Sequence, residues 1–334
     1  MKFAHNVLIK LVVVLTVLIS SASWASSAPK LTVMTKNMDA GTDFGFFLAN
    51  LNTHPALGVQ LTLNEVAKNN YFARSALLAQ EIASAKPDVV GLQEVSVWQT
   101  PQGTIDQLQL LLFNLNALGK PYDVVKINTL TSFVFAANVA FTDQDVLIVR
   151  HGLLPATANV QAGLYTNLLK IDSLGLFINR GWISADVTLG GKTVTIVTTH
   201  LESSASLYGN PAVDLLQAAQ AKELAERFFL NRYPVIFAGD FNSNATHTPP
   251  EQTASVKIVT GYGYKDTWSA INHGNPGFTW PLYLEDPLRD HTNGPKERID
   301  FIFARGINAA SADRTGLKEP QSSDHAGVIA EFGL

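Results

Sequence analysis

Short apolar runs rich in β-branched side chains punctuate this chain, and polar residues gather at their ends. Residues 31–36 alternate and predict a first strand. Val89-Val90-Gly91-Leu92-Gln93-Glu94 and Pro234-Val235-Ile236-Phe237-Ala238 are too short for helices and predict buried strands. Residues 122–127, 145–150, 298–303 and 326–332 predict four more. Residues 182–187 and 193–199 alternate around Leu189-Gly190-Gly191-Lys192, a hairpin signal. Helical spacing runs through 74–85, where Leu77, Leu78 and Ile82 recur and Lys86-Pro87-Asp88 stops the helix. It returns in 104–118 and in 211–230, where Pro211 suits a first turn. Residues 40–73 are rich in Gly, Asn and aromatics without a clean period, and predict a long loop or insertion. Residues 160–176 are unusually apolar for a connection.

Strands and helices therefore mix, with at least one plain hairpin. That pattern predicts an α/β (α+β) domain over 30–334, with two packed mixed sheets and helices outside. No internal repeat, low-complexity tract or linker divides it.

The N-terminus changes the picture of where the protein works. Lys2 and Lys10 precede an apolar stretch, and small residues follow up to Ala25. This is the layout of a secretory signal peptide over 1–25, with Ser23-x-Ala25 as the cleavage site. The alternative is an uncleaved anchor, but the stretch is short for a span of about 20 residues. A secreted or periplasmic protein with no stable membrane span after cleavage is the expectation, and a monomer. The sequence has no cysteine, which excludes disulfides, a thiol nucleophile and cysteine-based zinc sites. Of 24 basic residues, 22 remain after cleavage against 28 acids, a net charge of −6. A broad nucleic-acid-binding face is normally basic, so this balance disfavours non-specific binding to a polynucleotide.

Candidate chemistry sits where strands end. Asn37 and Asp39 follow the first strand, Glu94 ends the second, and His200 ends the hairpin. Gly239-Asp240-Phe241-Asn242-Ser243 follows the run at 234–238. Asp240 and Asn242 are two apart on an extended segment and point to one place. Asp and Asn are also frequent caps, so the turn alone leaves both readings open. Asp300 lies inside Arg298-Ile299-Asp300-Phe301, where it could also pair with Arg298. Ser323-Asp324-His325 precedes the last strand. If these strands are adjacent, the ends form one rim of hard oxygen donors suited to Mg²⁺ or Mn²⁺, plus two histidines.

Six pieces, in order, resemble the endonuclease/exonuclease/phosphatase superfamily, which includes DNase I, AP endonucleases, inositol polyphosphate phosphatases and neutral sphingomyelinases. They are Thr35-Lys36-Asn37-Met38-Asp39, Leu92-Gln93-Glu94-Val95, Thr199-His200-Leu201, Gly239-Asp240-Phe241-Asn242-Ser243, Arg298-Ile299-Asp300-Phe301 and Ser323-Asp324-His325. The resemblance implies a four-layer DNase I-like sandwich and a metal-dependent phosphoester hydrolase. It implies Glu94 as main metal ligand, helped by Asn37 and Asp324, with Asp39 matching an acid of AP endonucleases that many phosphatase members lack. Asp240 would orient or deprotonate water, and Asn242 would hold a phosphoryl oxygen. His325, oriented by Asp300, would bind or protonate the phosphate, and His200 would stabilise the same charge. Trp280 lies where the family often carries a substrate-side loop, and is a candidate for stacking. The implied partner is a phosphoester: a small molecule, a lipid headgroup or a nucleic acid. Apolar stretches at 44–48 and 163–169 could touch lipid if exposed, or be buried insertions. A secreted endonuclease acting on DNA or RNA is the alternative within this class, and a non-catalytic binding protein on the same fold is the reading from another.

Overall fold

The computed structural model describes residues 28–171, 175–204, 211–245, 254–283 and 294–334. The expected signal segment at 1–25 lies outside them. Two large sheets form, with strands numbered in chain order. The first has the order β15 (Ala309–Thr315), β16 (Gly327–Gly333), β1 (Lys30–Asn37), β2 (Val89–Gln93), β6 (Val139–Arg150), β3 (Val97–Thr100) and β4 (Gly103–Asp106). A long β5 (Tyr122–Ala136) pairs with β6. The second sheet runs β13 (Lys265–Asp266), β14 (Asp300–Arg305), β12 (Val235–Asp240), β11 (Lys192–His200), β10 (Gly181–Leu189) and β7 (Thr157–Leu164). A small ribbon joins β8 (Leu169–Ile171) to β9 (Leu176–Ile178).

Each large sheet is mixed: β1–β2 and β11–β12 are parallel pairs and their other pairings are antiparallel. Apolar side chains from both inner faces, among them Val33, Leu147, Ile183, Ile236 and Phe332, make the core between the sheets. Helices cover the outer faces. α3 (Tyr71–Ala85) and α4 (Gln107–Ala117) pack on the first sheet through Leu78, Ile82, Leu108 and Leu111. α5 (Ala212–Arg227) and α6 (Ala254–Gly261) pack on the second through Ala221, Leu224 and Val259. Truncating one such leucine to alanine costs about 2–5 kcal/mol. The result is the expected four-layer sandwich. Among the described residues no helix is long and apolar enough to cross a membrane.

Three expectations change. The segment 40–73 is not a loop, because it holds α1 (Gly45–Asn50) and α2 (Pro55–Asn69). Pro55 opens α2 and Asn70 closes it in the left-handed region, both local helix signals that a weak apolar stripe hid. The helix expected from 104 begins at Gln107, because the Asp106 carboxylate accepts from the Gln109 N–H at 3.0 Å and caps it there. The strand expected over 298–303 begins at Asp300. A short α7 (Thr267–Ile271) is the last α-helix among the described residues. Neither apolar stretch is wholly buried or exposed. Phe47 is 5% exposed and Leu48 38%, while Tyr165 is 2% exposed and Leu164 43%.

The sheets approach closely at Gly91. A β-carbon there would lie 2.7 Å from Thr198 Cβ and 3.2 Å from the Ala238 carbonyl oxygen. Stacked sheets usually sit about 10 Å apart, with side chains between them. Here the missing side chain lets β2 press on β11 and β12, and Gln93 Nε2 reaches across to donate to Thr198 Oγ1 at 2.8 Å.

Candidate active site

Strand register builds one half of the site. His200 pairs with Asp240 across β11 and β12, and Asp240 pairs with Asp300 across β12 and β14. Three functional side chains thus form a row across one end of the second sheet. Arg180, just before β10, extends it, because Gly181 pairs with His200. The first sheet supplies the other half. Asn37 ends β1 beside Gln93, and Glu94 follows. Asn37 Nδ2 donates to Glu94 Oε1 at 2.9 Å and to Asp240 Oδ2 at 3.0 Å, so one amide bridges the two sheets. Glu94, with φ 52°, and Asn242, with φ 50°, both occupy the left-handed region that non-glycine residues rarely enter. Such strain persists where surrounding structure holds it, as it often does at functional sites.

His325 comes from the loop before β16. Its Nδ1 lies 2.9 Å from Asp300 Oδ2 and 3.9 Å from Asp240 Oδ2. Arg298 pairs with Asp266 at 2.8 Å, so Asp300 is not its partner. Burial works against charge on His325, but Asp300, Asp324 and Asp240 outweigh it and hold the ring well above the usual histidine range. Burial, with Asp300 adding, pushes Asp240 up to about 7.

His200 behaves oppositely. Burial, Arg180 and His325 hold it well below the usual range. Its Nδ1 faces Arg180 Nη1 at 2.8 Å, and its Nε2 faces Asn242 Nδ2 at 3.1 Å. Two donors around one ring exclude an imidazolium, so His200 serves as a neutral group. Asn242 also donates to the Leu201 carbonyl at 3.0 Å, and its N–H donates to Asp240 Oδ1 at 2.8 Å.

Helix side chains pin the loops. Gln217 on α5 donates to the carbonyls of Glu202 at 2.7 Å and Asn242 at 2.8 Å. Arg74 on α3 donates to the carbonyls of Met38 at 2.8 Å, Asp39 at 3.1 Å and Ser322 at 2.9 Å.

Asp39 and Asp324 both line the cleft, with different partners. Asp39 Oδ1 accepts from the Gly41 N–H at 2.7 Å, and Oδ2 accepts from Asn69 at 3.0 Å and Tyr283 at 2.8 Å. Its carboxylate is occupied in holding the loop. Asp324 lines the cleft, accepts from Trp280 Nε1 at 2.9 Å, and is pushed up to about 7 by burial, with Asp39 and Glu94 adding. Trp280 lines the same cleft, its ring 6.3 Å from that of His325. The cleft holds about 500 Å³.

Sequence reasoning missed Arg180, Asp143, Asp145 and Glu202. An isolated arginine before Gly181 carries no local signal, and only the register reveals it. Asp143 and Asp145, two apart on β6, share one face. Burial pushes Asp143 up to about 7 and holds Asp145, with Asp143 adding, well above the carboxylate range. Neither Asp145 oxygen has a hydrogen-bond partner among the described residues. Its folded carboxyl keeps its proton above the unfolded pKa. The native state therefore loses stability as pH rises from that value through the folded one. Asp145→Asn removes the loss, so its gain in Tm over wild type is larger at pH 8 than at pH 5. Calorimetry at both pH values checks this, and a gap that shrinks with rising pH refutes a neutral Asp145.

Several groups at this site come within reach of one cation. Ligand atoms of Glu94, His200 and Asp240 lie within 4.8 Å of one another, as do those of Asp240, Asp300 and His325. Hard carboxylate oxygens in this density suit a divalent ion of the magnesium type. The Asn37 oxygen, in contrast, accepts from the Asp39 N–H at 2.8 Å, and its amine faces the acids.

A two-sheet sandwich with a cleft of acids and histidines at one end defines a phosphoester-hydrolase architecture. The profile of the endonuclease/exonuclease/phosphatase family matches residues 48–325, and the chain belongs to that family. Solved structures agree in fold. An endonuclease/exonuclease/phosphatase from Beutenbergia cavernae DSM 12333 is 21% identical, with a TM-score of 0.62 over 91% of this chain and 72% of that one. A family protein from Leptotrichia buccalis C-1013-b is 16% identical, with a TM-score of 0.60 over 91% and 100%. TDP2 from D. rerio, complexed with a single strand DNA product, is 18% identical, with a TM-score of 0.54 over 91% and 99%. No curated protein matches.

Proposed function

We propose that this chain is a secreted, divalent-metal-dependent phosphodiesterase acting on a small or lipid-headgroup phosphoester. The observation that carries the reading is the row His200–Asp240–Asp300 facing Glu94, with His325 closing it. Asp240, poised near neutrality, accepts the proton of the attacking water. Asn242 holds a phosphoryl oxygen. His325, kept cationic by Asp300, binds the phosphate and supplies a proton to the leaving oxygen. His200 contributes a neutral ring beside that charge.

Glu94 and Asp324 would hold Mg²⁺, or Mn²⁺ in its place. Asn37 joins them with its amide turned so that the oxygen, now accepting from the Asp39 N–H, faces the acids. Asp39 lines the same cleft and is a further candidate, its carboxylate also accepting from Gly41, Asn69 and Tyr283. A bound cation offsets the ester's charge and the charge developing on the leaving oxygen.

The choice of a small ester over a polynucleotide rests on charge. Asp43, Glu94, Asp143, Glu297 and Asp324 all line the cleft, against Arg180 and His325. An acidic cleft repels a strand with a phosphate at every step. Phe44, Phe141 and Trp280 give it apolar walls suited to an organic substituent.

Turnover of bis(4-nitrophenyl) phosphate is expected to vanish in EDTA and return with Mg²⁺ or Mn²⁺. Glu94→Gln is expected to need at least about tenfold more metal for half-maximal rate. Turnover indifferent to EDTA refutes the proposal. Faster cleavage of DNA or RNA than of choline-type diesters moves the substrate to nucleic acid.

A further inference from the structure

Lysine rarely lies at zero exposure, yet Lys36 does, on β1 beside Asn37. Its Nζ lies 3.2 Å from Glu81 Oε2 and donates to the His325 carbonyl oxygen at 2.7 Å. Glu81 stands on α3, two turns after Arg74 and on the same face. It accepts from Thr315 Oγ1 at 2.6 Å and from Ser322 Oγ. Ser323 Oγ donates to the Asn37 carbonyl at 2.8 Å and accepts from the His325 N–H at 3.1 Å. Both main-chain polar groups of His325 are therefore fixed, and the carbonyl is fixed by a buried ammonium.

Stability does not explain such a pair. Replacing a buried ion pair by neutral groups of similar volume is often harmless or stabilising, whereas removing one partner is costly. What the pair does supply is position. Among the described residues the one hydrogen bond of the His325 ring is to Asp300, with Asp240 at 3.9 Å and Asp324 at 4.0 Å beyond hydrogen-bond reach, so its place in the cleft depends on where the backbone carries it.

We infer that Lys36 and Glu81 are positioning residues that set the His325 ring through its carbonyl oxygen. The inference rests on the hydrolase reading for its kinetic test, but not for its spectroscopic one. Lys36→Met alone strands the Glu81 carboxylate and lowers stability under either view. Lys36→Met with Glu81→Gln separates the two roles. A neutral pair restores Tm to the wild-type value or above, while Glu81's acceptor for Thr315 and Ser322 is kept. With the carbonyl unanchored, kcat is expected to fall by about 10²-fold, the usual scale of an ångström's misplacement, with KM moving much less.

The second readout needs no substrate. Ring ¹H–¹⁵N NMR signals of His325, assigned with His325→Gln, are expected to shift or broaden in the double variant. Wild-type kcat together with unchanged ring signals overturns the inference. An inactive wild type sinks the hydrolase reading alone, because the ring signals still decide the positioning. Should the double variant not fold, Lys36→Arg keeps the charge and moves the donor. It is expected to hold Tm and shift the same signals, and an unmoved ring there also refutes the role.

Discussion

Asp240→Asn lowers kcat by about 10³-fold or more while Tm stays close to wild type, because it removes a base and leaves the fold its shape. The carboxylate is almost wholly buried and takes donors from Asn37 at 3.0 Å and from the Asn242 N–H at 2.8 Å. Asparagine keeps one acceptor and the volume. Wild-type Asp240 also carries a cost above neutrality, since burial and Asp300 oppose its charge. A raised carboxyl pKa contributes stability at low pH that fades as pH climbs through about 7. The variant has no such slope, so any deficit in Tm at pH 5 narrows by pH 8. In kinetics the sign is reversed. The base must be unprotonated, so wild-type kcat climbs with pH along an acid limb centred at or below about 7, a bound cation moving it lower. That limb is absent from the variant's residual rate. Full turnover in Asp240→Asn refutes the assignment.

The second large effect is structural. Gly91→Ala destabilises by about 3 kcal/mol, the upper part of the range for overpacking, and reduces metal and phosphate affinity together. The added carbon would meet the branch carbon of Thr198 at 2.7 Å, and a β-branched side chain in mid-strand has little room to turn. Parting the sheets there also pulls Glu94 and Asn37 away from Asp240 and His200. Denaturant unfolding measures the first effect and calorimetric titration the second. A variant with wild-type stability would show that the inter-sheet gap yields easily.

The row of acids and histidines was readable because each member ends or borders a run whose β-character is plain. Val235 to Ala238 and Val89 to Leu92 are apolar throughout, and their shortness and β-forming residues settle their type. What stayed hidden was the set of distant partners on which a residue's setting depends. Asp39 has the local look of a ligand, and nothing near it in sequence shows that Asn69, Arg74 and Tyr283 gather on its carboxylate. Lys36 sat inside a recognised motif, yet no lysine in a strand announces that it is buried. Arg180, Asp143 and Glu202 gather only through folding, from β6, from the segment before β10 and from the end of β11. The α2 helix escaped notice because its buried face mixes Gly58, Thr62, Glu65 and Val66 instead of a run of large apolar groups.

The place of β16, between β1 and β15, has a consequence for timing. Ribosomes make β1 early, yet its outer edge stays open until nearly the whole chain has emerged. An open edge is a template for mispairing with another chain. The same late segment delivers His325. A nascent chain that already holds Glu94 and Asp240 therefore still lacks Asp300, Asp324 and the His325 ring that Asp300 holds. Completion of the first sheet and completion of the cleft are one event.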